Sequence, residues 1–548
     1  MNKSDNLNQA AILWADVPDP DVIRVQDTYY MTSTTMYFTP GCPIMKSTDL
    51  VNWEIVNYVY DVLSDGDAFT LTNGKNDYGR GSWASCLRYH NGIYYVFMAA
   101  YNTDKTYIFQ TTDIENGTWE RYTLDGIYHD MSVLFDNNRV YMIYGVGTIK
   151  VIELTANATA VKPNGLDKII IQNADITGEN SLAEGSHIYK INDKYYIFII
   201  CWPKTGSQRR IQVCYRANAL DGEYIGKIVL DNNLGFQNAG VAQGGIVETA
   251  SGDWYAMLFQ DHGAVGRIPV TMPVQWQDDW PIFGDLSAVQ YSSFNGVVTS
   301  GFSLKTAAKN YAAQNDTSYK TDNPANQPNG SNLALQWQWN HNPDNRFWSL
   351  TDEQLRLTTG NVCTSLLDAR NTLTQRTCGV KCCGTVIIDV SNMQNGDFAG
   401  LAALQEDYGF IGVKMVDNKK SLIMASFPNT TEVEIIPIGE NRENRENHEN
   451  HEKHEKSEIN EQKIHLKVDF NFATAANAEN LANLANLTDT AEFYYSPCGK
   501  QWQKLGKTLK LSYKLSHFTG YRFALFNYAT KTTGGYVDFS HFVVEASV

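Results

Sequence analysis

The sequence predicts an all-β chain, a five-bladed β-propeller followed by a β-sandwich. Three observations carry this reading. Helical periodicity is nearly absent, one hairpin pattern recurs five times in the first half, and short strands with polar turns resume in the second half. The recurring pattern is a short apolar run, a polar turn and a pair ending in an aromatic. It occupies Val22–Met31, Leu87–Val96, Val133–Met142, Ile188–Ile197 and Ile246–Ala256. The final aromatics, Tyr30, Tyr95, Tyr141, Tyr196 and Tyr255, stand 65, 46, 55 and 59 residues apart. That spacing suits blades of four strands.

Each element then has its own reason. HNG, DNN, IND and SGD supply the turn chemistry of the repeated hairpins. Ile44–Val56 and Phe109–Thr123 both carry a Thr-Asp turn followed by Trp, and complete outer parts of two blades. The propeller is assigned to 1–305. Residues 306–332 turn polar and gain Pro, Gly and Asn, which reads as a linker. Over 333–548, segments such as TVIIDVS, YGFIGVKMV, HLKVDF and YRFALFNYAT read as sandwich strands. An insertion at 440–463 interrupts them. There a Glu recurs at every third position from Glu440 to Glu461, with nothing sizeable to bury except Ile459. It reads as a solvated excursion, His448, His451 and His454 included.

Composition narrows the function. Of 548 residues, 43% are hydrophobic and 19% charged, which excludes wholesale disorder. With 44 basic against 60 acidic residues the net charge is -16, so neither nucleic acid nor a membrane is expected as a partner. The longest clear apolar run, Tyr195–Trp202, is far shorter than the roughly 20 residues a membrane helix needs. The first residues lack the apolar stretch of a signal peptide. A cytoplasmic location is expected if that terminus is native, and a periplasmic or secreted one if a signal was removed. The nine Cys do not form a disulfide framework, and Cys378, Cys382 and Cys383 read as reduced thiols in a strand.

Propellers bind ligands at one mouth of the central channel, where the starts of the inner strands point. Counting back eleven or twelve residues from each final aromatic reaches Asp19, Trp83, Asp130, Glu184 and Gln243. Three carboxylates, a Trp and an amide therefore converge from five blades, with Asp16 and Asp21 as rivals to Asp19. Like charges facing one cavity raise each other's pKa, so one can stay protonated as an acid while another serves as a base. Glycoside hydrolysis needs such a pair and an aromatic plane for the sugar.

Several longer segments resemble glycoside hydrolase family 43: WADVPDPDVIRVQDTYYM, GSWASCLRYHNGIYYVF, YHDMSVLFDNNRVYMIYG, AEGSHIYKINDKYY and GVAQGGIVETASGDWYAMLFQDHGAVGRIPVTMPVQW. QWQWNHNPD, ARNTLTQRT and GYRFALFNYAT resemble the concanavalin-A-like sandwich appended to that family's β-xylosidases and α-L-arabinofuranosidases. The resemblance implies an exo-acting, inverting hydrolase. It would release terminal arabinofuranose or xylose from plant cell-wall oligosaccharides and polysaccharides of xylan type. The other class is a non-catalytic carbohydrate-binding propeller with a lectin-like module.

Carried over residue by residue, the resemblance makes Asp19 the general base, Asp130 the pKa-tuning acid and Glu184 the general acid. It makes Arg267 a substrate-binding residue, with Phe38 and Trp83 as apolar walls. No cofactor is required, although His262 matches a position that faces calcium or its waters in some relatives. The sandwich is expected to pack near the propeller mouth and help shape a one-sided pocket.

Overall fold

A computed structural model describes residues 10–178, 181–284, 289–291, 333–351, 354–426, 435–438, 463–472 and 488–547. Four blades are four-stranded antiparallel sheets in simple sequence order. They comprise Asp21–Val25, Thr28–Thr32, Gly41–Ser47 and Glu54–Tyr60; Ser82–His90, Ile93–Ala100, Lys105–Thr111 and Glu120–Asp125; Ser132–Asp136, Arg139–Tyr144, Ile149–Leu154 and Asp167–Ile171; and Leu182–Ile191, Lys194–Trp202, Ile211–Ala217 and Ile225–Leu230. The repeated hairpins are the two inner strands of every blade. Their turns are tight for a local reason. Asn91-Gly92, Asn137-Asn138 and Asn192-Asp193 all place both central residues at positive φ, the geometry that matches the strand twist.

The fifth blade is closed from far away in sequence. Ala242–Glu248, Trp254–Asp261 and Arg267–Gln277 are followed by Ala10–Ile12, which pairs antiparallel with the last of them at Ala11↔Thr271. Val289–Tyr291 adds a parallel strand outside it. Joining the N-terminus to the last blade in this way closes the ring. The five repeat tyrosines are all buried. Apolar clusters fill the seams between blades, for example Ile44, Val59, Leu87 and Phe109 between the first and second. Val151, Ile188, Ile197 and Val213 do the same between the third and fourth.

The C-terminal half is a sandwich of two eight-stranded sheets. The expected strands fall at Lys381–Asp389, Asp397–Leu404, Gly409–Val416, Lys419–Ser426, Lys463–Asn471, Thr490–Ser496 and Arg522–Ala529. One sheet ends on a strand lent by the propeller, Phe38–Thr39, which pairs with Gln338–Asn340 through Trp339↔Thr39. The linker assigned to 306–332 and residues 440–462 of the insertion lie outside the described residues. All nine cysteines are free, and Cys382 and Cys383 sit in a strand. Among the described residues, no helix is long and apolar enough to cross a membrane.

Candidate active site at the propeller mouth

The starts of the inner strands meet at one mouth, and the backbone there is unusual. Asp19, Asp130 and Gln243 have φ of 51°, 47° and 61°, a region that non-glycine residues seldom adopt. Three of five equivalent positions held in this way mark a place where side-chain direction outweighs local strain.

Asp19 is buried and receives three short bonds. Arg267 Nη1 donates to Oδ1 at 2.8 Å and to Oδ2 at 3.0 Å, and Thr34 Oγ1 donates to Oδ2 at 2.6 Å. Its rivals are engaged elsewhere. Asp21 accepts from Arg88 Nη1 at 2.7 Å and from the Leu87 N–H at 2.8 Å. Burial alone would raise its pKa, but Arg88 and His187 hold it down to about 2. Asp16 accepts from the Arg267 N–H and, across the domain boundary, from the Gly520 N–H, both at 2.9 Å. Both rivals are structural ties, so Asp19 is the member of the trio that faces the other carboxylates.

The other two carboxylates share a histidine. His129 Nε2 lies 2.9 Å from Glu184 Oε2 and 3.6 Å from Asp130 Oδ2, and the Tyr101 hydroxyl bonds to its Nδ1. Burial pushes Asp130 up to about 7; His129 opposes this, and the charges of Glu184 and Asp19 add to it. Burial disfavours a charged His129, yet Asp130 and Glu184 together push it up to about 9. Asp130 and His129 are therefore linked, and the proton held by either sets the charge that Glu184 meets.

Arg267 is buried, with Nε and Nη2 unpartnered among the described residues. Both atoms are buried, and the Phe518 ring covers the guanidinium. Trp83 lines the wall, with ring centroids 5.0 Å from Tyr101 and 5.7 Å from Phe518. Gln243 packs against Gly185, where an added Cβ would meet its amide carbon at 2.9 Å. Phe38 is placed differently from the expected wall. It is 2% exposed, beneath the Arg522 guanidinium at 3.5 Å, and so backs the pocket from inside the domain interface. His262 stacks on Phe236 at 3.9 Å, and its Nε2 lies 2.7 Å from Gln260 Oε1, while burial lowers its pKa to about 3. Its Nδ1 is buried without a partner among the described residues, but no carboxylates gather there to cage a cation. Calcium prefers six to eight oxygens, so this donor set does not fit a protein-caged calcium.

The sequence reading omitted four residues of the site: Thr34, Tyr101, His129 and Phe518. His129 adjoins Asp130 in YHD and was within reach of a search for neighbours. Phe518 was not, because it comes from the sandwich. Its ring lies under the Arg267 guanidinium at 4.3 Å.

A five-bladed propeller with three carboxylates, an arginine and aromatic walls at one mouth, joined to a β-sandwich, defines the class as a glycoside hydrolase. The family described as Glycosyl hydrolases family 43 matches residues 9–281, and the Beta xylosidase C-terminal Concanavalin A-like domain matches 329–545. The chain belongs to glycoside hydrolase family 43. It is 28% identical to a beta-xylosidase of Formosa agariphila over 97% of this chain and 89% of that protein. It is 27% identical to a non-reducing end alpha-L-arabinofuranosidase of Bacteroides ovatus over 61% of each. A bifunctional GH43-CE protein of Bacteroides eggerthii superposes with a TM-score of 0.82 at 41% identity, over 99% of this chain and 64% of that one. The non-catalytic alternative is not favoured by this company.

Proposed function

We propose that this chain is an exo-acting, inverting pentosidase that removes terminal arabinofuranose or xylose from xylan-type or arabinose-bearing glycans. One observation carries the proposal. Asp19, held by Arg267 and Thr34, and Glu184, held by His129, face one mouth from separate blades. Glu184 protonates the leaving oxygen. Asp19, whose bonds suit a carboxylate, takes the proton from the attacking water. Asp130 and His129 orient Glu184 and tune the charge it meets. Arg267, whose fixed fork of donors suits vicinal hydroxyls, is assigned to substrate binding, and Trp83 and Gln243 bound the sugar. The names of relatives support both pentoses as substrates. No step needs a cofactor, and a calcium near His262 would be met through its waters.

Parallel kinetics on aryl α-L-arabinofuranoside and aryl β-D-xyloside, with and without EDTA, test the reading. Activity on both is expected, unchanged by chelation, and proton NMR is expected to show the inverted anomer first. Activity on neither glycoside, or a retained anomer, would overturn it.

Asp130 also makes a prediction about stability. Its pKa in the fold, about 7, lies above the ordinary value of 3.8, so the native state binds that proton more tightly than the unfolded chain. The resulting stability is fully present below about pH 4 and is lost as pH rises through about 7. Asp130→Asn is therefore expected to be more heat-stable than wild type at pH 8, by on the order of 1–2 kcal/mol, with the gap closing towards pH 5. Thermal melts across that range check this; a gap that widens at pH 5 would contradict it.

A further inference from the structure

Beyond the pocket, the rim of the mouth carries an aromatic surface that the hydrolysis itself does not use. Trp202 is 46% exposed, and Leu182 beside it is 48% exposed. The other eleven tryptophans are buried or half-buried. Trp202 and Leu182 are a cross-strand pair, two positions beyond the Glu184↔Ile200 pair on the same hairpin. Side chains alternate along a strand, so Leu182 and Trp202 share the sheet face of Glu184, roughly 7 Å nearer the rim.

The indole is also braced. The Arg210 guanidinium stands 4.7 Å over its ring, and Arg210 is held by Asp261 at 2.5 Å. Arg210 lies 5.3 Å from the Phe259 ring, and Arg267 lies 5.4 Å from that same ring. An unbroken run of stacked groups therefore leads from Asp19 and its partner Arg267 out to Trp202. With its charge spent on Asp261, Arg210 orients the indole without making the rim a site for anions. A tryptophan fixed in place and open to water offers a flat apolar face at little ordering cost.

We propose that Trp202, with Leu182, is a binding platform for a neutral pyranose on the leaving-group side of the scissile bond. The inference rests on the proposed function in one respect: Glu184 as the acid places the departing sugar on its own hairpin's side. The occupant is thus a sugar of an oligosaccharide leaving group, its C–H face against the indole, rather than the terminal pentose.

Binding to Glu184→Gln protein tests this without turnover. Calorimetry would compare linear and arabinose-substituted xylo-oligosaccharides with free xylose and arabinose, in Trp202 and Trp202→Ala forms. The oligosaccharide Kd is expected to rise about 10-fold in Trp202→Ala relative to any change for the free pentose, and Trp202→Phe is expected to recover most of it. Equal oligosaccharide affinity in both forms, a parallel loss for pentose and oligosaccharide, or no oligosaccharide binding at all would overturn the platform. Wild-type hydrolysis of the same oligosaccharides separates the two readings. Hydrolysis with Trp202-independent binding sinks the platform alone. Trp202-dependent binding without hydrolysis sinks the assignment of the acid and, with it, the leaving-group placement of the platform.

Discussion

Glu184→Ala is expected to lower kcat/KM on a natural oligosaccharide by about 10³–10⁴-fold, and to lose far less on a dinitrophenyl pentoside. An acid is needed in proportion to the basicity of the leaving oxygen, and a dinitrophenolate departs with little help. Asp19→Ala is expected to lose about 10⁴-fold or more on both substrates, because water must be deprotonated whatever leaves. Asp19 needs a control. Removing it strands Arg267, a buried cation whose partner is Asp19 at 2.8 Å, and breaking a buried pair is costly to the fold. Asp19→Asn keeps a hydrogen-bonding side chain there and should lose the same activity with a smaller fall in Tm. Steady-state kinetics across leaving groups decide the roles. An equal loss on both substrates for Glu184→Ala would deny it the acid's part. A loss for Asp19→Ala that shrinks with better leaving groups would exchange the two roles.

What the sequence made legible was whatever is written locally or repeated. The inner hairpins follow from two-residue turns with both central residues at positive φ, and such turns are spelled by Asn, Asp and Gly. The convergence of Asp19, Asp130 and Glu184 followed from counting, because a repeat that fixes the strand also fixes the residue at its start. What stayed hidden depends on partners distant in the chain. Ala10–Ile12 is too short to read as a strand until Arg267–Gln277 lies beside it. Phe38 entered as a pocket wall through the family resemblance, which carries a residue type but not the Arg522 guanidinium of the sandwich that covers its ring here. Only coordinates separate Asp16, Asp19 and Asp21, through the donors each accepts from. His129 was adjacent to a chosen residue, yet its bond to Glu184 crosses from blade three to blade four.

Truncation after residue 305 is expected to give a propeller that is insoluble or inactive, because the two halves share a core, a sheet and the pocket. Val270, Met272 and Ala264 of the fifth blade belong to one apolar cluster with Trp337, Phe470 and Phe523 of the sandwich. Cutting it open would expose a large apolar patch of the kind that drives aggregation. Backbone bonds cross the boundary as well: the Tyr521 N–H donates to the Ala264 carbonyl at 2.9 Å, and the Gly379 N–H to the Trp14 carbonyl at 2.9 Å. Gly520 lets the chains approach this closely, since a Cβ there would meet the Val265 carbonyl oxygen at 2.0 Å. Without the sandwich, Phe518 no longer covers the Arg267–Asp19 pair, and water would screen it. Misfolding of the truncated chain would obscure this last effect, so Phe518→Ala in the full chain isolates it. That variant should stay soluble and lose about 10-fold in kcat/KM, the scale expected when one aromatic wall is removed. Full activity of the isolated propeller would refute the shared pocket. An unimpaired Phe518→Ala enzyme would leave the sandwich a scaffold only.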